Sequence, residues 1–225
     1  MPRRSIYPQP GNKMTQKLFW EDPYRTKLST FVTSVAGDEI RLQSTIFFAF
    51  SGGQESDAGT IGDVRVEEAR KDGLDIVYRM ASGHGFTQGD AVEVAIDWPR
   101  RFGLMRHHFA AEMVLQLVYR KAPGIVRIGA HIAPQRARID FEYAGALTGL
   151  AIEAEREANA LVQSNRPILT GFSDEPNQRR FWRVEGFAEM PCGGTHPRST
   201  GEIGVVKVRR RNPGKGKERL EIEAC

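Results

Sequence analysis

The residues with the clearest potential for chemistry are a cysteine and a histidine four positions apart, Cys192 and His196, with two glycines between them. Zinc binds cysteine sulfur and histidine nitrogen in tetrahedral protein sites, so this spacing lets both side chains close on one ion. The same spacing also arises by chance, so the pair alone is a weak signal of a metal site.

A second pair of candidate ligands lies upstream, where His108 and Glu112 are also four positions apart. The surrounding segment has the pattern of a helix, and residues four apart on a helix share one face. Brought together by the fold, the two pairs would make one zinc site. His107 replaces His108 in this prediction if the helical phase is shifted by one residue.

Glu112 has two possible roles in such a site. As a fourth ligand, its carboxylate and the Cys192 thiolate together would cancel the charge of Zn²⁺ and lower its Lewis acidity. As a general base, it would stand beside a water held by an ion with three protein ligands. The sequence leaves both roles open.

Bulk properties predict an intracellular globular protein of one or two domains. The 225 residues are 40% hydrophobic and 27% charged, which is enough for a buried core. No apolar run reaches the ~18–20 residues that cross a membrane, and we expect no secretory signal. Only Cys192 and Cys225 are cysteines, which excludes a disulfide framework. We therefore expect a cytoplasmic protein with no membrane partner.

The net charge of +4 is placed unevenly along the chain. Three basic runs hold much of it: Pro99–Arg101, Gln178–Arg180 and Lys207–Lys217. Such runs attract phosphate backbones through counterion release, which favours a nucleic-acid partner. A solvated surface that keeps the protein soluble explains any single run equally well.

Before residue 98 the expected elements are short strands joined by tight turns. An irregular lead-in occupies residues 1–13, and alternating apolar residues around glycine turns then predict two hairpins and a further strand. Because no helix is expected between these strands, we predict a barrel-like N-terminal domain, residues 1–98. The expected strands are Leu28–Ala36 with Glu39–Thr45, Val64–Arg70 with Leu74–Met80, and Ala91–Asp97.

After residue 98 the pattern mixes helices and strands, which predicts an α+β fold. A helix from about Arg101 to Arg120 carries an apolar stripe, and a second amphipathic helix runs from Leu147 to about Asn165. We expect residues 99–225 to form a domain whose helices pack on one antiparallel sheet. Its expected strands are Ile125–Ile132, Ala137–Phe141, Pro167–Thr170, Phe181–Phe187, Gly204–Arg210 and Glu218–Ile222.

Several separated motifs resemble the editing domains shared by alanyl-tRNA synthetases and the free-standing AlaX-type trans-editing proteins. Cys192–Gly204 is similar to the editing signature, and Asp97–His108 is similar to the segment that leads into the first zinc motif, His-x-x-x-His. Gly52–Gly59 resembles the glycine-rich motif of the longer members. The likeness covers about residues 20–210. Further matching segments are Ile139–Phe141, Glu157–Asn159 and Asn165–Ile168.

The resemblance implies zinc-dependent hydrolysis of the ester that joins serine or glycine wrongly to alanine tRNA. We expect an enzyme acting in trans, because no synthetase catalytic domain fits before residue 20. Carried over by position, His108, Cys192 and His196 would bind zinc. Glu112 departs from the pattern, because it occupies the position of the second histidine. Phe109 also departs, because the family often has there a threonine that helps to recognise the serine hydroxyl.

Other residues near the motifs have expected roles in this reaction. Backbone N–H groups of Gly193, Gly194 and Thr195 could face the ester carbonyl. Gln54 could position the 3′ end of the substrate, although a plain turn explains the glycine-rich segment equally well.

Two alternatives to the editing enzyme follow from the same residues. A tRNA-binding module of this fold with lost catalysis would account for Glu112, Phe109 and the basic tail. A zinc-dependent hydrolase of a different acyl substrate would account for Phe109.

Overall fold

The computed structural model describes residues 14–214 and 216–225, so the predicted lead-in of residues 1–13 lies outside the described residues. The described chain is an α+β protein with two helices and several antiparallel sheets, so the α+β part of the predicted fold class is confirmed. Neither of these helices is long and apolar enough to cross a membrane.

Contacts between Cα atoms divide the chain into two compact units. The first comprises Ser56–Asp97 and the described residues up to Phe50. The second comprises Trp98–Cys225 and the short segment Ser51–Glu55. Part of the glycine-rich segment therefore belongs with the second unit, although it precedes most of the first unit's strands in the chain.

The first unit consists of antiparallel hairpins and two short parallel strands. Pairing follows the closed order β2-β3-β7-β6-β5-β8, and β1 pairs with β4 in parallel. Both predicted hairpins are confirmed, since β2 pairs with β3 and β6 with β7. The strands are β1 (Gln16–Lys17), β2 (Lys27–Ala36), β3 (Glu39–Leu42), β4 (Ser44–Thr45), β5 (Gly59–Ile61), β6 (Val64–Asp72), β7 (Asp75–Met80) and β8 (Ala91–Ile96).

Alternation along these strands builds the core of the first unit. In β2, Leu28, Thr30 and Val32 point inward and are at most 5% exposed. One buried polar group is satisfied inside this core, because the Tyr78 hydroxyl donates a hydrogen bond to Thr45 Oγ1 over 2.7 Å. Burial of apolar side chains therefore stabilises this unit, and the buried Tyr78 hydroxyl is hydrogen-bonded.

The second unit contains both helices and two antiparallel sheets. One sheet has the order β14-β15-β10-β9 and the other β11-β12-β13. The elements are α1 (Trp98–Lys121), β9 (Val126–Ala133), β10 (Arg136–Glu142), α2 (Thr148–Gln163), β11 (Leu169–Asp174), β12 (Arg179–Val184), β13 (Ala188–Pro191), a 3₁₀-helix (Thr200–Ile203), β14 (Val206–Gly214) and β15 (Lys217–Ala224).

The prediction of one sheet for this unit was wrong. The first three strands after α2, β11 to β13, form a separate three-stranded meander, and its last strand, β13, was not predicted. A turn at Glu185–Phe187, with Gly186 at a φ of 67°, returns the chain and makes the hairpin of β12 and β13. The predicted strand Phe181–Phe187 therefore ends earlier, at Val184.

Helix α1 is buried on more than one side, unlike the one-sided stripe that we predicted. The four stripe residues are at most 4% exposed: Leu104, Ala111, Leu115 and Val118. Phe109, Met113 and Val114 are also fully buried, because α1 contacts α2, β9, β10, β15 and the 3₁₀-helix. A helix covered on several sides carries apolar residues around its circumference. Four polar residues of α1 are also buried: Arg101, His107, His108 and Glu112.

Helix α2 is tied to strand β14 by one asparagine. Asn159 donates from Nδ2 to the Val206 carbonyl over 2.7 Å, and its Oδ1 accepts from the Val206 N–H over 2.9 Å. Val206 is fully buried, so both of its backbone groups depend on this side chain. The motif Glu157–Asn159 thus has a structural role.

We predict that Asn159→Ala lowers the free energy of unfolding by about 2–3 kcal/mol, because it leaves a buried N–H and a buried carbonyl unpaired. Denaturant unfolding monitored by circular dichroism measures this loss. Asn177→Ala, in an exposed turn, is the matched control and is expected to change stability by less than about 0.5 kcal/mol. Equal stability of the two variants would contradict the assigned role.

Candidate metal centre

Four side chains of the second unit converge on one point. His108, Glu112, Cys192 and His196 each place a donor atom within 4.8 Å of the other three. Glu112 Oε1 lies 3.3 Å from His108 Nε2, and Glu112 Oε2 lies 3.1 Å from His196 Nε2. Cys192 Sγ lies 3.6 Å from His108 Nε2 and 3.4 Å from His196 Nε2. All four residues proposed from the sequence as ligands are therefore neighbours.

Helix α1 supplies the first half of this cluster. His108 and Glu112 are one turn apart on α1, and their side chains are each 8% exposed. The helix positions them on the same face, as the spacing predicts. His107 instead ties the helix to the last strand, because its Nδ1 lies 2.8 Å from the Gly103 carbonyl and its Nε2 accepts from the Ala224 N–H.

The loop after β13 supplies the second half of the cluster. Cys192 directly follows β13, and its N–H donates to the Arg180 carbonyl over 2.9 Å, which extends the pairing with β12. His196 lies between this point and the 3₁₀-helix Thr200–Ile203. That helix is anchored to α2, because the Thr200 hydroxyl donates to the Leu161 carbonyl over 2.8 Å. Both ends of the loop are therefore fixed.

Gly194 packs directly against the cluster. A Cβ atom at this position would collide with the ring of His108 and would lie 2.9 Å from Gln54 Oε1. The glycine between the two candidate ligands thus allows the loop to approach α1 closely. The spacing Cys-Gly-Gly-Thr-His has a steric reason in addition to a chemical one.

We predict that Gly194→Ala weakens metal binding by at least about 10-fold, because the added methyl group displaces the ring of a proposed ligand. Titration of the purified protein with Co²⁺ measures the effect. Gly193→Ala is the matched control, since a Cβ at Gly193 would meet no atom within 4 Å. Equal affinity of the two variants would contradict the steric role of Gly194.

The segment Ser51–Glu55 brings one more polar side chain to the cluster. Gln54 is fully buried, and its Oε1 lies 2.5 Å from His108 Nδ1. Its Nε2 donates to Thr195 Oγ1 over 3.1 Å, and Oε1 also faces the Thr195 N–H at 3.5 Å. The amide oxygen can only accept a hydrogen bond, so Nδ1 of His108 carries a hydrogen and donates this bond. In the neutral imidazole, Nε2 then presents a lone pair to the cluster.

The four donor atoms fit a cation better than they fit each other. Among the described residues, the buried Oε2 of Glu112 has no hydrogen-bond partner despite its nearness to His196. Lone pairs of nitrogen, sulfur and carboxylate oxygen that converge without enough protons repel one another, and a buried carboxylate requires compensation. Zinc ligand distances of about 2.0–2.3 Å place tetrahedral donors roughly 3.3–3.8 Å apart. The four separations given above, 3.1–3.6 Å, lie close to that spacing.

Electrostatics set the protonation of the cluster before an ion binds. Burial alone would raise the pKa of Glu112, but the nearby imidazoles of His108 and His196 hold it well below its usual range. Burial and then Glu112 raise the pKa of the Cys192 thiol well above its usual range. Burial lowers the pKa of His196 although Glu112 opposes this. Metal binding must therefore displace a proton from Cys192.

Two backbone N–H groups of this loop face the cluster and its neighbour Gln54. The Gly194 N–H donates to Cys192 Sγ over 3.3 Å, and the Thr195 N–H faces Gln54. The role of these N–H groups and that of Gly193 at the ester carbonyl stays a prediction. The Thr195 side chain is 1% exposed and accepts from Gln54.

Phe109 lies in the wall beside the cluster. It is fully buried, and its ring meets Trp182 and His196 edge-on, with centroid separations of 4.9 and 5.5 Å. A phenyl ring carries no hydroxyl or amide group with which to bind a substrate hydroxyl. The ring instead restrains the imidazole of His196.

Arg180 is a residue of this region that the sequence analysis treated only as part of a basic run. It is 7% exposed, its guanidinium lies 4.3 Å from the centroid of the Phe172 ring, and it donates to Thr170 Oγ1 over 3.4 Å. Burial lowers its pKa, and the charge of Cys192 opposes that shift. Alternation along β12 could have predicted the burial of Arg180, because Arg180 lies on the same inward face as Trp182 and Val184.

The basic tail forms part of a charged hairpin. Arg209 lies 3.7 Å from Glu223, and Arg211 lies 3.1 Å from Glu221, so carboxylates of β15 face the arginines of β14. Arg210 pairs with the buried Glu218 over 2.6 Å. These pairs favour the solvated-surface explanation for this run, whose residue 215 lies outside the described part of the chain.

Comparison with known proteins places the chain among tRNA synthetase-related sequences. Residues 180–221 match the family described as the threonyl and alanyl tRNA synthetase second additional domain. The chain is 32% identical to alanyl-tRNA editing protein AlaX-M of Pyrococcus horikoshii over 214 residues, which cover 93% of this chain and 97% of the relative. It is 30% identical to the protein of the same name from Methanosarcina acetivorans over 244 residues, 92% of this chain and 98% of the relative.

Alanine–tRNA ligases also match, over part of their length. The ligase of Methanoregula boonei is 32% identical over 237 residues, which cover 93% of this chain but only 26% of the ligase. The chain thus matches nearly the whole of the editing relatives and about a quarter of the ligase.

Proposed function

The chain belongs to the family of alanyl-tRNA editing proteins, and on that premise we propose that it hydrolyses mischarged alanine tRNA in trans. The proposed substrates are seryl- and glycyl-tRNA for alanine, and the proposed cofactor is Zn²⁺. The observation that carries the proposal is the convergence of donor atoms from the buried His108, Glu112 and His196 and the partly buried Cys192, in a chain that matches the editing relatives along nearly their whole length.

The donor set suits zinc, because nitrogen, sulfur and carboxylate oxygen in a tetrahedral arrangement are its usual ligands. Calcium and magnesium prefer shells of six or more oxygen atoms, which this cluster does not offer. We propose His108, Cys192 and His196 as ligands, with Glu112 as the fourth. Glu112 lies within 3.3 Å of both histidines, which favours ligation over the role of general base.

The reaction is addition of water to the ester carbonyl. The water oxygen bonds to the carbonyl carbon, the bond to the ribose oxygen breaks, and one water proton ends on that ribose oxygen. When bound, zinc supplies a Lewis acid for the carbonyl and the water. The protein's own residues orient this site: Gln54 fixes the tautomer of His108, and Phe109 restrains the ring of His196.

The proposed partner is alanine tRNA, and the net charge of +4 is consistent with a polyanionic substrate. We also propose a cytoplasmic location, where translation takes place. The proposed boundary between the two domains lies near residue 98. Neither helix of the described chain is long and apolar enough to cross a membrane.

A deacylation time course tests the function. Seryl-, glycyl- and alanyl-tRNA for alanine are incubated with the zinc-loaded protein, and again after chelation. We expect release of serine or glycine that depends on metal, with alanyl-tRNA spared. A metal-loaded protein that releases neither amino acid would contradict the proposal. Salt-sensitive binding of tRNA without turnover would then favour the alternative of a binding module.

Phe109 favours a second candidate, a hydrolase of the same design with a different acyl substrate. Since this side chain carries no hydroxyl, discrimination of serine must rest on other groups if it occurs. A panel of tRNAs carrying other amino acids separates the two candidates. Preferential release of another amino acid would establish the second one.

A further inference from the structure

The segment Ser51–Glu55 lies on the edge of the four-stranded sheet of the second unit. Strand β9 is at that edge, and Gln54 forms a parallel bridge with its residue Ile132. The Ile132 N–H donates to the Gly53 carbonyl over 2.8 Å, and the Glu55 N–H donates to the Ile132 carbonyl over 3.0 Å. The segment therefore behaves as a very short extra strand.

The glycines of this segment make that approach possible. Gly52 and Gly53 have φ values of 62° and 92°, which favour glycine, and the tight turn from Ser51 to Gln54 is closed by backbone bonds in both directions. A Cβ at Gly53 would lie 2.6 Å from the Ala130 carbonyl oxygen. A segment held by so few backbone bonds requires additional anchoring to keep one side chain in a fixed place.

Glu55 provides this anchoring through both carboxylate oxygens. Its Oε2 lies 2.7 Å from Arg100 Nη2, and its Oε1 lies 3.0 Å from His131 Nε2. Arg100 is in the first turn of α1, the helix that carries His108, and His131 is in β9. One carboxylate thus links the segment to two elements of the second unit, next to the residue whose amide contacts His108.

We propose that Glu55 is a positioning residue of the metal centre, which acts through Gln54 on the orientation of His108. The inference rests on the proposed metal site and goes beyond it, since neither Glu55 nor His131 touches the cluster. Glu55 holds the segment in register. Gln54 Oε1 then accepts a hydrogen bond from His108 Nδ1 over 2.5 Å, and Nε2 is presented to the ion. Outer-shell partners of this kind typically change metal affinity by about 10- to 100-fold.

A purely structural role would predict a different result. The side chains of Glu55, Arg100 and His131 are 29%, 27% and 41% exposed, so their pairing contributes little to stability. We therefore expect Glu55→Ala to leave the unfolding transition nearly unchanged. The effect of this substitution should appear at the metal.

The test is a double-mutant cycle with Co²⁺ as the probe. Co²⁺ bound to a thiolate and imidazoles absorbs visible light, and the position and intensity of its bands report the ligand geometry. We compare the wild type, Glu55→Ala, Gln54→Leu and the double variant, with Glu221→Ala as a control that removes another glutamate–arginine pair. Affinity for Co²⁺, the absorption spectrum and the unfolding midpoint are measured for each protein.

We expect Gln54→Leu to lower Co²⁺ affinity about 10- to 100-fold and Glu55→Ala to lower it about 10-fold, both with an altered spectrum. The double variant should bind no more weakly than Gln54→Leu alone, because Glu55 acts through Gln54. Glu221→Ala should bind as the wild type does.

Unchanged Co²⁺ affinity and spectrum in Glu55→Ala would overturn the inference, and so would fully additive effects in the double variant. Neither measurement uses tRNA. A wild type that binds Co²⁺ but hydrolyses no aminoacyl-tRNA would therefore contradict the proposed function alone. A wild type that binds no Co²⁺ would overturn the inference together with the metal site.

Discussion

Replacement of Cys192 by alanine is expected to abolish metal binding and ester hydrolysis together. The thiolate is the only sulfur donor of the cluster, and it lies 3.6 and 3.4 Å from the two proposed histidine ligands. Its removal leaves a carboxylate and two imidazoles with no fourth donor. We expect a loss of affinity larger than the roughly 100-fold upper range of outer-shell changes. Metal analysis of the purified variant and the deacylation assay measure both effects.

Cys225→Ala is the matched control for this prediction, because Cys225 is exposed and does not belong to the cluster. It should bind one equivalent of metal and retain full activity. Thermal unfolding adds a third measurement, since an ion that binds only the folded state raises the unfolding midpoint of the wild type but not of Cys192→Ala. Full metal content and activity in Cys192→Ala would refute the site.

Glu112→His is expected to retain the ion and to raise kcat by about tenfold, or ~1.4 kcal/mol of barrier. The substitution replaces an anionic donor by a neutral one at the same helical position. The charge of the ion is then cancelled by Cys192 alone, which strengthens its action as a Lewis acid. The measurement is kcat for seryl-tRNA with metal content determined on the same sample.

The same substitution separates the two roles of Glu112. If Glu112 were the general base, Glu112→His would keep metal and lose activity, because the carboxylate that accepts the proton would be gone. Glu112→Ala provides the comparison within the site. As a lost ligand it should weaken metal binding, whereas the loss of a base alone should leave metal affinity unchanged.

The metal site and the editing function therefore rest on different experiments. Co²⁺ binding tests the cluster, its ligands and the role of Glu55, and it needs no substrate. Deacylation tests the reaction and its choice of amino acid, where the Phe109 ring packs against His196. Agreement of both would support a trans-editing enzyme with Glu112 as the fourth ligand.

The sequence by itself determined much of the local structure and singled out the four residues of the candidate metal site. Alternation around Gly37 and Gly73 predicted both hairpins, and the helix spacing placed His108 and Glu112 on one face. These features depend on backbone preference and on side-chain periodicity, which act over a few residues. The motifs in order also identified the family, which the editing relatives confirm.

Only the tertiary structure decided which distant segments meet. Periodicity does not specify pairing between strands, so no sequence pattern separated β11–β13 from the four-stranded sheet. Nor did it show that α1 would be covered on several sides. Arg180 and His131 were missed as parts of larger arrangements for the same reason, since their roles depend on partners far along the chain.

Gln54 illustrates this limit most directly. A turn and a substrate contact explained its glycine-rich context equally well, and neither explanation predicted a contact between its amide and His108. The structure places its amide 2.5 Å from His108, 54 positions away along the chain, because the segment pairs with the edge of β9. Hydrogen bonds formed across such sequence separations follow from how the elements pack, and local sequence patterns do not encode them.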